Sequence, residues 1–243
     1  MTGTSTKPLF SLSDTWIFDL DNTLYPAECN LFAEVDQRMG AFIAALLNVD
    51  LGEARRVQKR YYHVYGTTLR GLMSEHKVDP LGFLDYVHNI DLSPVAPDVT
   101  LAAAIAALPG RKFILTNGTR AHAEKVARRI GVLEHFDDIF DIAAGDFVPK
   151  PDPVIYQRFI ERFAIAPARA VIFEDLSRNL EAPSALGMTT VLVKVAGRPH
   201  PDTREDWTPD DETAEHVHHV TQDLAGFLDE ILGVLNGARQ RLT

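Results

Sequence analysis

Short apolar runs alternate with amphipathic stretches along most of the chain, and the runs have the composition of buried β-strands. Five of them, rich in β-branched and aromatic residues, lie at 15–20, 112–116, 138–142, 170–173 and 189–195. Between them, residues 121–131 and 153–165 place apolar side chains at helical spacing, and Gly131 is a favourable C-cap. Residues 216–220 resemble a sixth strand, and a closing helix is expected over 224–235. This alternation predicts an α/β fold with a parallel sheet.

The block between the first two strands breaks this rhythm. Apolar positions across residues 31–47 form a continuous stripe at helical spacing, and a second helix is expected over 53–64. Asp79 followed by Pro80 is typical of an N-cap and a first helical residue, which predicts a helix through about Asn89. Because no strand pattern occurs in the block, we predict an all-helical insert.

The insert divides the chain into two predicted domains. Pro94 and Pro97 fit a linker that returns the chain to the sheet. We therefore expect residues 25–95 to form a helical cap. Residues 1–24 and 96–243 are then expected to form the core around the parallel sheet.

Composition and charge narrow the classes of function. Hydrophobic residues make up 46% of the 243 residues, enough for a substantial core. The formal net charge of −10 disfavours a nucleic-acid polymer as partner, but it is compatible with a small anionic ligand. Cys29 is the only cysteine, so no disulfide is expected within the chain. No apolar run reaches signal-peptide or membrane-span length, which predicts a soluble cytoplasmic protein with no membrane partner.

Polar residues follow four of the predicted strands. In an open parallel sheet, ligands bind beyond the carboxyl ends of the strands, so these residues should converge on one crevice. In chain order they are Asp19 and Asp21, then Thr116, Asn117 and Gly118, then Lys150, and finally Glu174 and Asp175.

Each of these residue types has a role in phosphoryl transfer. A carboxylate can attack phosphorus, but two anions repel each other, so a hard cation must mediate. Asp19 and Asp175 are natural ligands for Mg²⁺. Asp21 is expected on the same strand face as Asp19, where it can protonate a leaving oxygen and later activate water. Thr116 can donate to a phosphoryl oxygen, and Lys150 can neutralise developing charge.

The order of these motifs resembles the haloacid dehalogenase-like superfamily. The matching segments are "DLDNT" at 19–23, "LTNG" at 115–118, "PKPDP" around Lys150 and "FED" at 173–175. The resemblance implies a Rossmann-like core, Asp19 as nucleophile, Asp21 as general acid/base and Mg²⁺ as cofactor. It further implies metal ligation by the Asp21 backbone carbonyl, with Glu174 and Asn179 supporting the metal site either as direct ligands or through hydrogen bonds to the ligands. The superfamily's dehalogenases lack the second acid, so Asp21 favours a phosphatase.

The position of the insert corresponds to the type called a C1 cap, which closes over the site and favours a small phosphorylated metabolite. The segment "YYHVYGTTLRGL" at 61–72, with "DLDNTLYP", looks like the pyrimidine 5′-nucleotidase branch of the superfamily. This resemblance predicts hydrolysis of pyrimidine nucleoside 5′-monophosphates. We expect Arg70 and Tyr25 to contact the substrate, together with Asn117 and Gly118.

Other functions are compatible with the same residues. A phosphatase acting on phosphoglycolate or a sugar phosphate is the nearest alternative, and a phosphomutase is another. A non-catalytic nucleotide-sensing module belongs to a different class. The oligomeric state and the physiological substrate are left open by the sequence.

Overall fold

The computed structural model describes residues 10–194 and 212–240, with side chains through residue 237. The end of the predicted fifth strand and the predicted core segments at 1–9, 195–211 and 241–243 lie outside the described residues. Within the described part, six parallel strands form one sheet: β1 Thr15–Phe18, β2 Arg111–Leu115, β3 Asp138–Phe140, β4 Ala170–Glu174, β5 Thr189–Val193 and β6 His219–Thr221.

The strand order places the ends of β1 and β4 side by side. The order is β3-β2-β1-β4-β5-β6, so the chain moves outward from β1 and then returns to the other side of β1. Ligands bind at such a switch point in open α/β sheets. Phe18, the last residue of β1, pairs with Ile114 in β2 and Phe173 in β4. The predicted parallel α/β sheet is therefore confirmed.

The helices fall into an insert and a surrounding layer. They are α1 Leu31–Leu47, α2 Leu51–Tyr65, α3 Thr68–His76, α4 Pro80–Val87, α5 Val99–Ala107, α6 Arg120–Ile130, α7 Pro153–Phe163, α8 Glu181–Ala185 and α9 Leu224–Gln240. The first four lie between β1 and β2, which confirms the predicted helical cap insert. In the described part of the chain, no helix is both long and apolar enough to span a bilayer.

The central strand β1 is buried on both faces. Trp16 and Phe18 point to one side and pack in a cluster with α5, α6 and α9, whereas Ile17 points to the other side and packs with α7. All three side chains are fully buried, and the Trp16 indole donates to the Pro109 carbonyl oxygen at 2.6 Å. Burial of each contributes about 1.5–3 kcal/mol. The strand therefore holds the residues that follow it in a fixed position.

The cap contains one helix that the sequence pattern did not predict. Helix α3 begins where the Thr67 side chain accepts from the backbone N–H of Arg70. The helix has only nine residues, and its buried positions, which include Leu69 and Leu72, span too few turns to give a clear helical period. The predicted N-cap at Asp79 is confirmed, because its side chain accepts from the first turn of α4.

The last strand begins later than predicted. A strand was expected over residues 216–220, but β6 begins at His219. The preceding segment is tied to β5 through side chains rather than through ladder hydrogen bonds. The Thr190 hydroxyl donates to the carbonyl oxygen of His216 at 2.6 Å, and Nδ1 of His218 accepts from the Thr190 backbone at 3.0 Å.

Gly110 controls the register between β1 and β2, and we expect Gly110→Ala to be strongly destabilising. Its φ is +82°, and a Cβ there would lie 2.1 Å from the backbone oxygen of Asp14. The same oxygen accepts from Arg111 at 2.9 Å. Backbone strain should lower the free energy of unfolding by about 1–2 kcal/mol. Overlap with Asp14 should remove about 1–3 kcal/mol more. Urea denaturation measures both losses.

Gly131→Ala is the matched control. Gly131 has a φ of +92°, but a Cβ there would have no neighbouring atom within 4 Å. This variant should therefore lose only the strain contribution of about 1–2 kcal/mol. Equal losses in the two variants would contradict a special role for Gly110 in the register.

Candidate active site

Asp19 follows β1 directly and lies beside the end of β4. Its backbone N–H donates to the Phe173 carbonyl oxygen at 2.9 Å, which continues the pairing of the two strands by one residue. One oxygen from each of Asp19, Glu174 and Asp175 lies within 4.8 Å of the others, and all three residues are buried. The structure thus brings these three predicted residues together at the switch point.

Lys150 lies between two of these carboxylates and is only 3% exposed. Its Nζ donates to Asp19 Oδ1 and Glu174 Oε1, each at 2.6 Å, and to the Leu115 carbonyl oxygen at 3.0 Å. Burial by itself would lower the pKa of Lys150, but the Asp19 and Glu174 carboxylates raise it above its ordinary value. The lysine is therefore charged, and all three of its donors are used.

The segment after β2 shapes the backbone around Lys150. The Asn117 side chain accepts from the Lys150 N–H at 2.8 Å and donates to the Lys150 carbonyl oxygen at 3.2 Å. The hydroxyl oxygen of buried Thr116 accepts from the Gly118 N–H at 2.9 Å. Asn117 therefore positions the lysine, and Thr116 lies on the same loop.

The donor set fits a hard divalent cation, which prefers oxygen ligands. Burial, with the charges of Glu174 and Asp19, raises the pKa of Asp175 well above its usual range. Burial also raises the pKa of Asp19, against the opposing charge of Lys150. Three buried carboxylates beside one lysine leave an excess of negative charge that a cation would neutralise. Asn179 adds an oxygen, Oδ1, that is buried without a hydrogen-bond partner in the described part of the chain.

Both carboxylate oxygens of Glu174 accept hydrogen bonds. Its Oε1 accepts from both Lys150 and the Asn179 amide, the latter at 2.7 Å, and its Oε2 accepts from the Leu176 N–H at 3.0 Å. Burial would raise the pKa of Glu174, but the Lys150 charge and these hydrogen bonds lower it. Glu174 therefore anchors Lys150, the Asn179 amide and the backbone at Leu176.

Asp21 lies at the border of the core and the cap, and its side chain is 25% exposed. Its Oδ1 accepts from the Tyr25 hydroxyl at 2.7 Å and lies 3.3 Å from Nε2 of His122. Burial would raise the pKa of Asp21, but the hydrogen bond and charge of His122, with the Tyr25 hydroxyl, lower it to about 2. Asp21 is therefore ionised near neutral pH and can accept a proton.

The sequence reasoning did not identify His122 as a residue of this site. Thr119 caps α6 by accepting from the His122 N–H at 3.2 Å, so His122 lies in the first turn of a helix that starts beside the strand ends. A helix that begins directly after the "LTNG" segment must present its first turn to the site, and this was the available signal. His88, the C-cap of α4, stacks on His122 with the ring centroids 4.3 Å apart.

A cavity of about 170 Å³ separates the core from the cap. Its floor is polar and includes Asp21, Asn117, Gly118, His122 and Lys150. Its roof is mostly apolar and includes Phe32, Val35, Met39, Leu69, Phe83 and Leu84. At one side, the guanidinium of Arg178 lies over the ring of Tyr62 and donates to its hydroxyl group, which joins the core to the cap.

Two of the predicted substrate-binding residues lie elsewhere. The Arg70 side chain is 49% exposed, lies 3.7 Å from Asp152, and is absent from the cavity lining. Tyr25 is buried in the cap hinge, the segment 19–30 that connects β1 to α1, where it contacts Asp21. The other two, Asn117 and Gly118, belong to the cavity floor.

Comparison with known proteins identifies relatives of the chain. The chain is similar to phosphate metabolism protein 8 of Saccharomyces cerevisiae, at 25% identity over 237 residues, covering 90% of this chain and 70% of the yeast protein. It is also similar to glyceraldehyde 3-phosphate phosphatase of Methanocaldococcus jannaschii, at 23% identity, covering 73% of this chain and 83% of that protein.

The fold is shared with L-2-haloacid dehalogenase from Xanthobacter autotrophicus, with a TM-score of 0.57 at 18% identity, covering 91% of this chain and 99% of that chain. A profile of the haloacid dehalogenase-like hydrolases matches residues 14–187. This match spans well over half of the chain and includes all four motifs. The chain therefore belongs to the haloacid dehalogenase-like hydrolase family.

Proposed function

We propose that the protein is a phosphomonoesterase that hydrolyses a small phosphorylated metabolite through an aspartyl-phosphate intermediate on Asp19. The observation that carries this proposal is the buried Lys150 ammonium, held 2.6 Å from both Asp19 and Glu174. Asp21 supports phosphatase chemistry, because it supplies an acid/base group at the floor of a covered cavity.

The proposed reaction uses Asp21 and Lys150 on the cavity floor, together with Asp19 and Thr116 just beyond the ends of β1 and β2. A carboxylate oxygen of Asp19 attacks phosphorus, the P–O bond to the leaving group breaks, and the leaving oxygen takes a proton from Asp21. The negative charge of a phosphoryl group beside Asp21 raises its pKa and favours the protonated form. Asp21 then removes a proton from water, whose oxygen attacks phosphorus and releases phosphate and Asp19. Lys150 and Thr116 stabilise the charge that develops.

Mg²⁺ is the proposed cofactor. Asp19 and Asp175 are proposed to hold the ion, Glu174 and Asn179 to orient those ligands, and the Asp21 backbone carbonyl to complete the protein ligands, as the family resemblance implies. When bound, Mg²⁺ supplies the positive charge that allows an anionic nucleophile to approach an anionic phosphoryl group.

We propose a sugar phosphate as substrate, in preference to the pyrimidine nucleotide that segment 61–72 suggested. The name of the archaeal relative, a glyceraldehyde 3-phosphate phosphatase, supports this class. In segment 61–72, Tyr61 and Tyr65 bond to other cap residues and Arg70 faces away from the cavity. Only Tyr62, among the tyrosines of this segment, lines the cavity. Tyr61, Tyr65 and Arg70, three of the features that suggested a base-binding site, are therefore absent from the cavity lining, whereas Gly66, Thr67, Thr68 and Leu69 line it beside Tyr62.

A substrate panel tests this class. Phosphate release with Mg²⁺ should show a higher kcat/KM for a sugar phosphate, such as ribose 5-phosphate or glyceraldehyde 3-phosphate, than for UMP, CMP or phosphoglycolate. We expect a difference of about tenfold or more, equivalent to about 1.4 kcal/mol. Faster turnover of UMP or CMP would restore the nucleotidase hypothesis. Isomerisation of β-glucose 1-phosphate without phosphate release would indicate a mutase instead.

Asp19→Asn should abolish turnover, because the amide cannot form the covalent intermediate. We expect kcat to fall by about 10³-fold or more. Asp229→Asn, the same change at an exposed position on α9, is the control and should retain full activity. Circular dichroism checks that both variants fold. Unchanged turnover in Asp19→Asn would refute the assigned nucleophile.

Asp175→Asn should raise the stability of the metal-free chain and remove its response to Mg²⁺. The substitution replaces a buried acid, whose ionisation burial and its acidic neighbours disfavour, with a neutral amide that has no such cost, so the melting temperature in EDTA should rise, by about 2–4 °C for each kcal/mol gained. The same variant should lose the increase in melting temperature that Mg²⁺ gives the unmodified chain, because a ligand is gone. Differential scanning fluorimetry measures both effects. A full Mg²⁺ response in this variant would contradict the proposed metal site.

A further inference from the structure

Two histidines stack beside the proposed acid/base residue, and neither takes part in the chemistry described above. The rings of His122 and His88 are nearly parallel, with an interplanar angle of 12° and centroids 4.3 Å apart. His122 comes from the core and is 3% exposed. His88 comes from the cap, at the end of α4, and its Nδ1 lies 3.4 Å from the Thr119 hydroxyl. The stack therefore bridges the two parts of the molecule.

Among the residues the structure describes, the His122 ring forms a hydrogen bond with Asp21 alone. Its Nε2 lies 3.3 Å from Asp21 Oδ1, and its Nδ1 is buried with no hydrogen-bond partner among the residues the structure describes. A carboxylate can only accept, so Nε2 carries the proton. A polar ring buried with one partner is an expensive arrangement for packing alone, because an unsatisfied buried polar group costs about 1–3 kcal/mol.

Both donors to Asp21 reach the same oxygen. The Tyr25 hydroxyl, from the cap hinge, and His122 Nε2, from the core, meet at Oδ1. Two donors at one oxygen fix the plane of the carboxylate and direct Oδ2 away from them. General acid catalysis depends on such orientation, since a misplaced proton donor loses much of its effect.

We propose that His122 is a positioning residue that orients Asp21 for proton transfer, and that His88 holds the plane of the His122 ring when the cap lies over the core. The proposal rests on the proposed phosphatase function and adds to it a contact from the cap to the acid/base group. The proposal predicts that loss of the His122 ring slows the reaction more for a leaving group that must be protonated than for one that departs as a stable anion.

The test compares two phosphate esters in single-turnover experiments with Mg²⁺. One is 4-nitrophenyl phosphate, whose leaving group departs as a stable anion, and the other is the alkyl phosphate that turns over fastest in the panel. In His122→Leu, release of the alkyl leaving group should slow by about 10–100-fold, part of the 10²–10⁴-fold that a general acid contributes. Release of 4-nitrophenolate should slow by less than about threefold, because it does not rely on that contribution.

Two further variants separate positioning from folding. His122→Gln restores an N–H near the Nε2 position and should recover most of the alkyl rate. His88→Leu leaves His122 in place and should give a smaller loss, also selective for the alkyl ester. If His122→Leu does not fold by circular dichroism, these two variants decide the question. His63→Gln, an exposed change in the cap, should alter neither rate.

The results distinguish two failures. If the unmodified chain releases phosphate from no ester, the proposed function fails and this inference fails with it. If the unmodified chain is active but the His122 and His88 variants slow both esters equally, or neither, the proposed function stands and the positioning role is refuted.

Discussion

The site depends on one buried charge, the ammonium group of Lys150. Burial removes several kcal/mol of hydration from each ion, so Lys150 and its carboxylate partners are tolerable only together. The partners arrive from different segments: Asp19 from the end of β1, Glu174 from the end of β4 and the Leu115 carbonyl from β2. Three adjacent strands are thus joined at their carboxyl ends by a single side chain. Asn117 sets the backbone of that side chain, so the loop after β2 also contributes to its position.

Lys150 compensates only part of the negative charge of the carboxylates around it, and this excess of negative charge is what a bound cation would offset. One lysine faces three buried carboxylates, and the pKa of Asp175 is raised well above its usual range by burial and by its acidic neighbours. A protein selected only for stability would replace such a group with a neutral one. The arrangement is explained if a divalent cation completes the balance, since its positive charge offsets the excess of carboxylates over the single lysine. The chain therefore stores unfavourable electrostatics where a ligand can relieve them.

Much of this could be predicted from sequence, for a physical reason. All strands of a parallel sheet end at one edge, so residues such as Asp19 and Asp175, far apart in the chain, could be placed together once the strands were identified. The helical insert was also predictable, because α1 and α2 are long enough to show apolar positions at helical spacing and α4 begins at a clear N-cap. Helix α3 was not, since its nine residues span too few turns to show a helical period. Arg70 was placed at the substrate for the same reason, because the direction of its side chain depends on the orientation of α3, which was not predicted. His122 was missed because its role depends on the first turn of α6 rather than on any motif.

Asp21 lies where the core sheet leads into the cap, so its carboxylate is in contact with residues from both parts of the molecule. Asp21 lies three residues beyond the end of β1, where the chain enters the cap, and the next residue, Asn22, has a left-handed φ of +59° that turns the chain sharply. Tyr25, three residues further along, returns to contact the Asp21 carboxylate at 2.7 Å. The hinge therefore folds back on the acid that it follows. Any rotation of the cap about this segment must change either the Tyr25 contact or the direction of Asp21. His122 contacts the same oxygen from the core. The Asp21 carboxylate is therefore held from the core by His122 and from the cap side by Tyr25.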